Sequence, residues 1–410
     1  MMKWTFFLLI ISILATSCSP TGKDRKPHLV MIGGALRYDN SKIFRKMIEL
    51  SGGRNSRIAV FPTASGNPLK YGSYALEAFQ SFGADPILIP LAIKNITPDY
   101  RQVREDPDMI DLVKSCGGVY FTGGAQERIT EALFYENGDN SPLLDAILQV
   151  YSRGGMIAGT SAGAAVMSRI MIRDAQDVFN MLVNGAEMGK EIDRGLGLVP
   201  DSLFIDQHFF TRGRFARTLV VMQQEKFKYG IGIDENTAVI MDHLGNSEVL
   251  GYSGILLIDM KESEYVDSKA GFCLSNVKIS YLEDGDRFNP FTGEIILSEA
   301  KYNGTIIDPS SPEFIPYYKR DFFYNDILAN SVLKDLLRQF IDNDQKTVKA
   351  LAFHTSEHGI TDPRGYRFVF RKTPDSIGYY SGKKGGENYS VLNIYLDVEP
   401  VSMKKRILNE

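Results

Sequence analysis

The sequence predicts an α/β fold: a mostly parallel open sheet flanked by helices, followed by a smaller α+β extension. Three observations carry that expectation. Between His28 and Ala158, short apolar runs of strand length alternate with stretches of helical periodicity. Glycines stand at the strand ends, as in Gly33-Gly34 and Thr122-Gly123-Gly124, where tight turns leave a parallel sheet covered on both faces. After Tyr229 the alternation stops and strands follow one another directly.

In chain order, Met1-Met2-Lys3-Trp4 is followed by an apolar run from Phe6 to Ala15, too short to span a bilayer, and then by Ala15-Thr16-Ser17-Cys18. Residues 1–17 are predicted to be a secretory signal. Small residues directly before Cys18 resemble a bacterial lipobox, in a loose version because of Thr16 and Ser17, so Cys18 is the expected lipidation site. Residues 18–27 would then be a lipidated tether, holding an exported bacterial lipoprotein at a membrane surface, periplasm-facing or on the outer cell surface. Strands are expected at Leu29–Ile32, Arg57–Phe61, Pro86–Ile89, Gly118–Phe121 and Gly155–Ala158. Helices are expected at Ser41–Leu50, Leu69–Phe82 and Pro107–Ser115, with two more between Gln126 and Tyr151. Later strands fall at Gly230–Asp234, Thr237–Met241, Glu248–Tyr252 and Ile255–Asp259, with a hairpin turn at Asp242–Ser247. Residues 283–320 are rich in Asp, Gly, Pro and Tyr, which places a boundary near Ala300: residues 28–299 form the main domain and 300–410 the extension. The extension should hold a helix at Ser331–Asp342 and strands at Arg367–Arg371 and Val391–Val398.

The 410 residues carry 46 basic and 50 acidic side chains, a net charge of −4. Loss of the signal removes only Lys3 and leaves 45 basic residues against 50 acidic ones. Nothing in that balance suggests a nucleic-acid partner. Cys116 and Cys273 remain, both in apolar strand-like surroundings, and are expected as isolated core thiols rather than a disulfide.

Three strand ends carry the chemistry. Gly159-Thr160-Ser161-Ala162-Gly163 matches the G-x-S-x-G nucleophile elbow, which exposes a serine hydroxyl on a strained strand-to-helix turn. Bulk at Gly159 or Gly163 would clash with the neighbouring strand or helix, and Ala162, Ala164 and Ala165 keep that helix thin. His208 ends the apolar run Phe204-Ile205-Asp206-Gln207, and Asp234-Glu235 end Gly232-Ile233. Serine, histidine and acid are what acyl transfer requires: the imidazole takes the hydroxyl proton and the acid fixes its tautomer. The order Ser–His–acid differs from the Ser–acid–His order of α/β-hydrolases and argues against that fold. Gly33-Gly34 lacks the rest of a dinucleotide loop, so no cofactor is expected there or elsewhere.

Gly-Gly-Ala-Gln (123–126), Gly-Thr-Ser-Ala-Gly-Ala (159–164), Asp-Gln-His-Phe with Arg-Gly-Arg-x-x-Arg (206–217) and Gly-Ile-Asp-Glu-Asn-Thr-Ala (232–238) together resemble the cyanophycinase and aspartyl-dipeptidase group of serine peptidases. The resemblance covers roughly His28 to Phe291. It implies a sheet of the class I glutamine amidotransferase-like, flavodoxin-like kind, and it carries a homodimer as an expectation. Position by position, it implies Ser161 as nucleophile, His208 as general base and Glu235 as orienting acid, with Asp234 the runner-up. Adjacent strand residues face opposite ways, so only one of those acids can reach His208. The oxyanion hole would use the N–H groups of Gly124 and Ala162. Gln126, Asp206, Gln207, Arg212, Arg214 and Arg217 match positions of substrate binding or site architecture.

The arginines also have a plain structural reading. On a regular helix Arg212 and Arg214 diverge by about 200°, so three cations cannot all enter one pocket and at least one should brace the fold. Against bracing alone, cations in a first helical turn oppose its dipole, and the guanidinium fork suits a carboxylate. His354-Thr355-Ser356-Glu357-His358 matches an inverted zinc-protease motif, but Gly359 and Pro363 favour a turn over the helix a metal site needs, and no metal is expected. Three functions are compatible with the chain. The first is hydrolysis of an aspartyl-arginine polymer. The second is cleavage of scavenged aspartyl or isoaspartyl peptides, and the third is peptide binding by a non-catalytic lipoprotein.

Overall fold

The computed structural model describes residues 25–94, 97–173, 177–268, 270–356, 359–382 and 386–402. The signal segment, Cys18 and the Glu357-His358 pair lie outside them, as do the side chains of the whole 354–358 motif.

The predicted alternation forms one sheet. β1 (His28–Ile32), β2 (Arg57–Phe61), β3 (Asp85–Leu88), β4 (Gly118–Phe121) and β5 (Met156–Thr160) lie parallel in the order β1-β5-β4-β2-β3. Beyond β1 the same sheet continues with antiparallel strands Thr237–Asp242, Ser247–Gly251, Arg287–Asn289 and Glu294–Ile296. Strand alternation sends Leu29 and Met31 to one face, where they meet the helices Pro107–Ser115 and Pro142–Ser152. Val30 and Ile32 face the other way, against Ser41–Leu50 and Pro68–Ser81. Local chemistry starts these helices where the sequence placed them. Asn40, Asn67, Asp106 and Ser141 each accept a backbone N–H as N-cap, and Pro68, Pro107 and Pro142 occupy first-turn positions whose N–H would have no helical acceptor.

The boundary expected near Ala300 does not divide the sheets. A second sheet runs Phe323–Tyr324, Thr347–Ser356, Gly359–Arg371, Asn388–Ser402, Leu274–Glu283, Gly254–Asp259, Tyr229–Ile233 and Leu203–Gln207, so strands from both sides of Ala300 share it. Leu274–Glu283 pairs directly with Asn388–Ser402. Their common core joins Leu256, Val277 and Tyr281 to Leu336, Phe368 and Leu396. A fully buried polar staple adds to it: Lys301 Nζ donates to Asp286 Oδ2 at 2.5 Å and to Ser390 Oγ at 2.7 Å. The extension is therefore packed into the strands that carry His208 and Glu235, and its predicted helix is present at Val332–Ile341. Cys116 is buried and Cys273 half-buried, and both are free thiols.

Candidate active site

β5 delivers Ser161 at the edge of the parallel sheet. Its φ of +53° lies in the left-handed region, an unusual conformation for a residue with a side chain and the mark of a strained elbow. The Ser161 N–H donates to Ile32 O at 2.9 Å, which ties the turn to β1. The elbow glycines are sterically required. A Cβ at Gly159 would stand 2.2 Å from Gly163 O, and one at Gly163 would stand 2.7 Å from Phe121 Cβ. The helix that follows is a single turn, Ala162–Ala165.

His208 follows the strand Leu203–Gln207 and also has a left-handed backbone, φ +50°. That reversal ends the strand and turns Gln207 and His208 together toward the serine. Ser161 Oγ lies 2.9 Å from His208 Nε2 and 3.5 Å from Gln207 Oε1. Gly33-Gly34, which the sequence left without a role, is the seat of this histidine. The His208 N–H donates to Gly33 O at 2.7 Å. A Cβ at Gly34 would fall 2.3 Å from the imidazole Cε1, and Gly34 has φ +103°. Gly34→Ala is expected to displace the ring and lower kcat by about 10²-fold, the usual consequence of misplacing a catalytic group by about 1 Å. Steady-state kinetics alongside a near-native circular dichroism spectrum would check it.

The choice between the two acids is decided by distance. His208 Nδ1 lies 2.5 Å from Glu235 Oε1. Asp234 turns the other way: its Oδ1 accepts the N–H groups of Phe210 and Thr211, and its Oδ2 accepts the Ser253 hydroxyl. Asp234 thus holds the loop after His208, while Glu235 contacts the ring itself.

Burial pulls the His208 pKa below its ordinary 6.5, and the cations Arg212 and Arg214 add to the fall, against the opposing hydrogen bond from Glu235. The neutral imidazole is the form that can accept a proton. Because the folded value is depressed, the unfolded chain binds the proton more readily. This group's contribution to stability is therefore present above about 6.5 and lost as pH falls through the lower folded value. The acid limb of kcat/KM, which reports the free enzyme, is expected to have its midpoint below 6.5. A midpoint above that value in a pH–rate profile would contradict the geometry.

The turn at Gly123-Gly124 lies against the serine. A Cβ on Gly123 would be 3.2 Å from Ser161 Cβ, and Gly124, at φ +150°, would place one 1.9 Å from Ala64 O. Gly124 and Ser161 line one cleft of about 300 Å³ together with Arg173, Gln207, Arg212 and Arg214. Ala162 opens a helical turn, where an N–H has no acceptor within the helix. These are the two N–H groups expected beside the serine.

Three residues expected in substrate binding or site architecture are held by scaffold partners, although Gln126 and Arg217 also line the cleft. Arg217 and Asp206 are both almost fully buried and face each other two-pronged, Nε to Oδ2 at 2.9 Å and Nη2 to Oδ1 at 2.7 Å. Thr218 Oγ1 and the Gln207 N–H also donate to Asp206. Burial raises the Asp206 carboxyl, but the Arg217 guanidinium more than offsets it and leaves the pKa lowered. The Gln126 amide nitrogen donates to Ile172 O, and to Arg173 O at 2.8 Å, holding the outer wall of the cleft. Arg214 is intermediate. Its Nη1 donates at 2.9 Å to both the carbonyl and the Oε1 of Gln207, and burial followed by the nearby Arg217 charge lowers its pKa to about 10, still protonated at neutral pH. Arg212 is half exposed, with Nε 3.9 Å from Glu235 Oε1. The sequence missed Arg173, which lines the cleft, pairs with Asp193 at 3.6 Å and lies outside every recognised motif block. The segment 211–217 is not a regular helix, since the helix starts at Phe215 with Arg214 as its N-cap.

An α/β sheet with a strained serine, a histidine and a carboxylate in hydrogen-bonded sequence at its strand ends is the arrangement of a serine-type hydrolase. The family comparison agrees. The profile of peptidase family S51 matches residues 29–247, and the chain belongs to that family. The cyanophycinase of Synechococcus elongatus is 31% identical over 275 residues, covering 65% of this chain and 80% of that protein. The cyanophycinase of Trichormus variabilis is 30% identical over 287 residues, covering 67% of this chain and 90% of the other. Among solved structures, a peptidase from an acI-B1 actinobacterium aligns with a TM-score of 0.48 at 19% identity, over 65% of this chain and 98% of that one. The protein is a serine-type peptidase.

Proposed function

We propose that Ser161, His208 and Glu235 act as a catalytic triad that cleaves aspartyl peptides, with a β-aspartyl-arginine polymer as the preferred substrate. The observation that carries this reading is the unbroken chain from Ser161 Oγ through the His208 ring to Glu235 Oε1, set in a cleft lined by arginines. His208 Nε2 takes the serine proton as Oγ attacks the scissile carbonyl. The developing oxyanion meets the N–H groups of Gly124 and Ala162, each such donor contributing about 3–4 kcal/mol to the transition state. His208 then returns the proton to the leaving amine, and water releases the acyl group by the same steps in reverse. Arg217 is neutralised by Asp206, so the charge that remains for a substrate carboxylate comes first from Arg212 and Arg214; Arg173 also lines the cleft but is paired with Asp193 at 3.6 Å. The cyanophycinase relatives favour the polymer, and the same cationic cleft suits a free aspartyl or isoaspartyl peptide. Digestion of isopeptide-linked aspartyl-arginine polymer, beside α- and β-aspartyl peptide libraries with mass readout, tests the assignment. Release of aspartyl-arginine units supports it, and cleavage confined to small peptides replaces it with the second reading.

Recognition and chemistry separate at Arg214. Lysine there keeps a charge but lacks the planar fork, so it cannot hold both Gln207 oxygens, as Nη1 does, and also present a second pair of N–H donors to a carboxylate. Arg214→Lys is expected to lower kcat/KM on aspartyl substrates about 10–100-fold. A neutral activated ester should be cleaved nearly as before. Equal losses on both, with a lowered melting temperature, would make Arg214 a brace alone.

A further inference from the structure

We propose that the edge of the parallel sheet where β1 begins is a membrane-facing surface that lies against anionic lipid headgroups and turns the catalytic cleft toward the aqueous phase. The charge pattern stands without lipidation; the proximity to a bilayer rests on the reading of Cys18 as a lipid anchor.

The place where the chain enters the fold is fixed. Arg25 is wedged among the loops of this edge: a Cβ on Gly154 would sit 1.9 Å from Arg25 O, and one on Gly52 would sit 2.6 Å from Arg25 Nη1. Six residues lie between Cys18 and Arg25, a span of seven Cα-to-Cα steps. Fully extended, they reach no farther than about 25 Å. A lipid on Cys18 therefore keeps this edge within a short tether of the bilayer.

The charge of the edge fits that position. The loops 25–28, 51–57, 82–85, 115–118, 152–156 and 242–247 contain five cations, Arg25, Lys26, Arg54, Arg57 and Arg153, against the two carboxylates Asp85 and Asp242. The chain as a whole carries −4, so a positive edge runs against its composition. Arg57 pairs with Asp85 at 3.5 Å, and Asp242 accepts the N–H groups of Leu244 and Asn246 in its own hairpin. Lys26, Arg54 and Arg153 are exposed, and none is within ion-pair distance of a carboxylate among the described residues. Leu244 stands 61% exposed at the tip of that hairpin, an apolar group placed to enter the headgroup layer. A basic patch beside a lipid is the two-signal arrangement that makes peripheral attachment stable.

Orientation follows from the topology. Ser161, His208 and Glu235 all come after the carboxyl ends of their strands, whereas the basic loops precede the amino ends of the parallel strands. With this edge on the bilayer the cleft opens away from it. The substrate is then one that arrives through the aqueous phase, rather than a lipid-embedded peptide.

The test uses the mature protein with Cys18→Ser, which has no lipid to mask the surface term. Its partition onto vesicles of phosphatidylcholine with phosphatidylglycerol is compared with that onto pure phosphatidylcholine, at low and high salt. We expect roughly tenfold stronger binding to the anionic vesicles at low salt, lost at high salt. Arg54→Glu combined with Arg153→Glu should remove the preference while ester hydrolysis stays unchanged. Arg54→Glu alone, at an exposed side chain, should weaken it in part and guards against misfolding of the double variant. Equal binding to both vesicle types, or a preference untouched by charge reversal, overturns the proposal. The anchor is read separately, from the mass of the amino-terminal fragment of the membrane-extracted wild type. An unmodified Cys18 with anionic preference intact would refute the anchor and leave the surface standing.

Discussion

Ser161→Ala is expected to abolish hydrolysis, lowering kcat by about 10⁶-fold, the scale seen when one member of a catalytic unit is removed. Its unfolding midpoint should stay that of the parent. Among the described residues the hydroxyl hydrogen-bonds with His208 and Gln207 at the cleft, whereas the elbow is held by the Ser161 backbone, whose N–H bonds to β1. The variant should also refuse a fluorophosphonate label that the parent accepts. His208→Ala should be equally damaging, because serine without its base gains little from staying in place. Glu235→Gln is expected to cost about 10⁴-fold, since an amide in that position no longer enforces the required tautomer. Asp234→Asn should cost far less, as its oxygen can still accept the Phe210 and Thr211 N–H groups. Normal turnover in Ser161→Ala would end the serine mechanism, and a more crippled Asp234→Asn than Glu235→Gln would reverse the assignment of the acid.

The grouping of Ser161, His208 and Glu235 was legible because each sits at the end of a strand whose apolar run is visible in the chain. The elbow glycines were legible through their spacing about the serine: Gly159 meets Gly163 four residues on, and Gly163 meets Phe121 on the adjacent strand β4. What the sequence could not show depends on contacts between distant segments. Gly34 is a glycine because His208, 174 positions later, lies on it. Asp206 and Arg217 belong to the same motif block as the base, and in sequence they are indistinguishable from ligand-binding residues. Only burial reveals that they satisfy each other. That one sheet is shared across Ala300 was hidden for a related reason. A run rich in Asp, Gly, Pro and Tyr marks loops but says nothing about which strands pair across them, and the pairing of Leu274–Glu283 with Asn388–Ser402 is a contact of high sequence separation. Arg173 carried no local signal, since it enters the cleft only through the fold of the wall that Gln126 holds.

The second large effect falls on stability and comes from that hidden pair. Asp206→Ala is expected to destabilise the protein by about 3–5 kcal/mol, because it leaves the Arg217 guanidinium buried without its counter-charge. The loss reaches further than one ion pair. Asp206 also accepts the Thr218 hydroxyl and the Gln207 N–H, so its removal loosens the strand end that presents Gln207 and His208. Urea unfolding should show a lower midpoint with little change in slope, and activity on a neutral ester should fall along with aspartyl hydrolysis. Arg217→Met alone strands the Asp206 carboxylate, whose lowered pKa depends on that guanidinium, and the protein should then lose stability most at neutral pH and recover part of it as acid protonates Asp206. The double replacement Asp206→Leu with Arg217→Met removes both charges and should be less destabilising than the sum of the two single changes. If instead Asp206→Ala leaves the unfolding midpoint intact and raises KM only for aspartyl substrates, the pair reads ligand rather than bracing the strand. Arg217 would then rejoin Arg212, Arg214 and Arg173 in the recognition of the carboxylate.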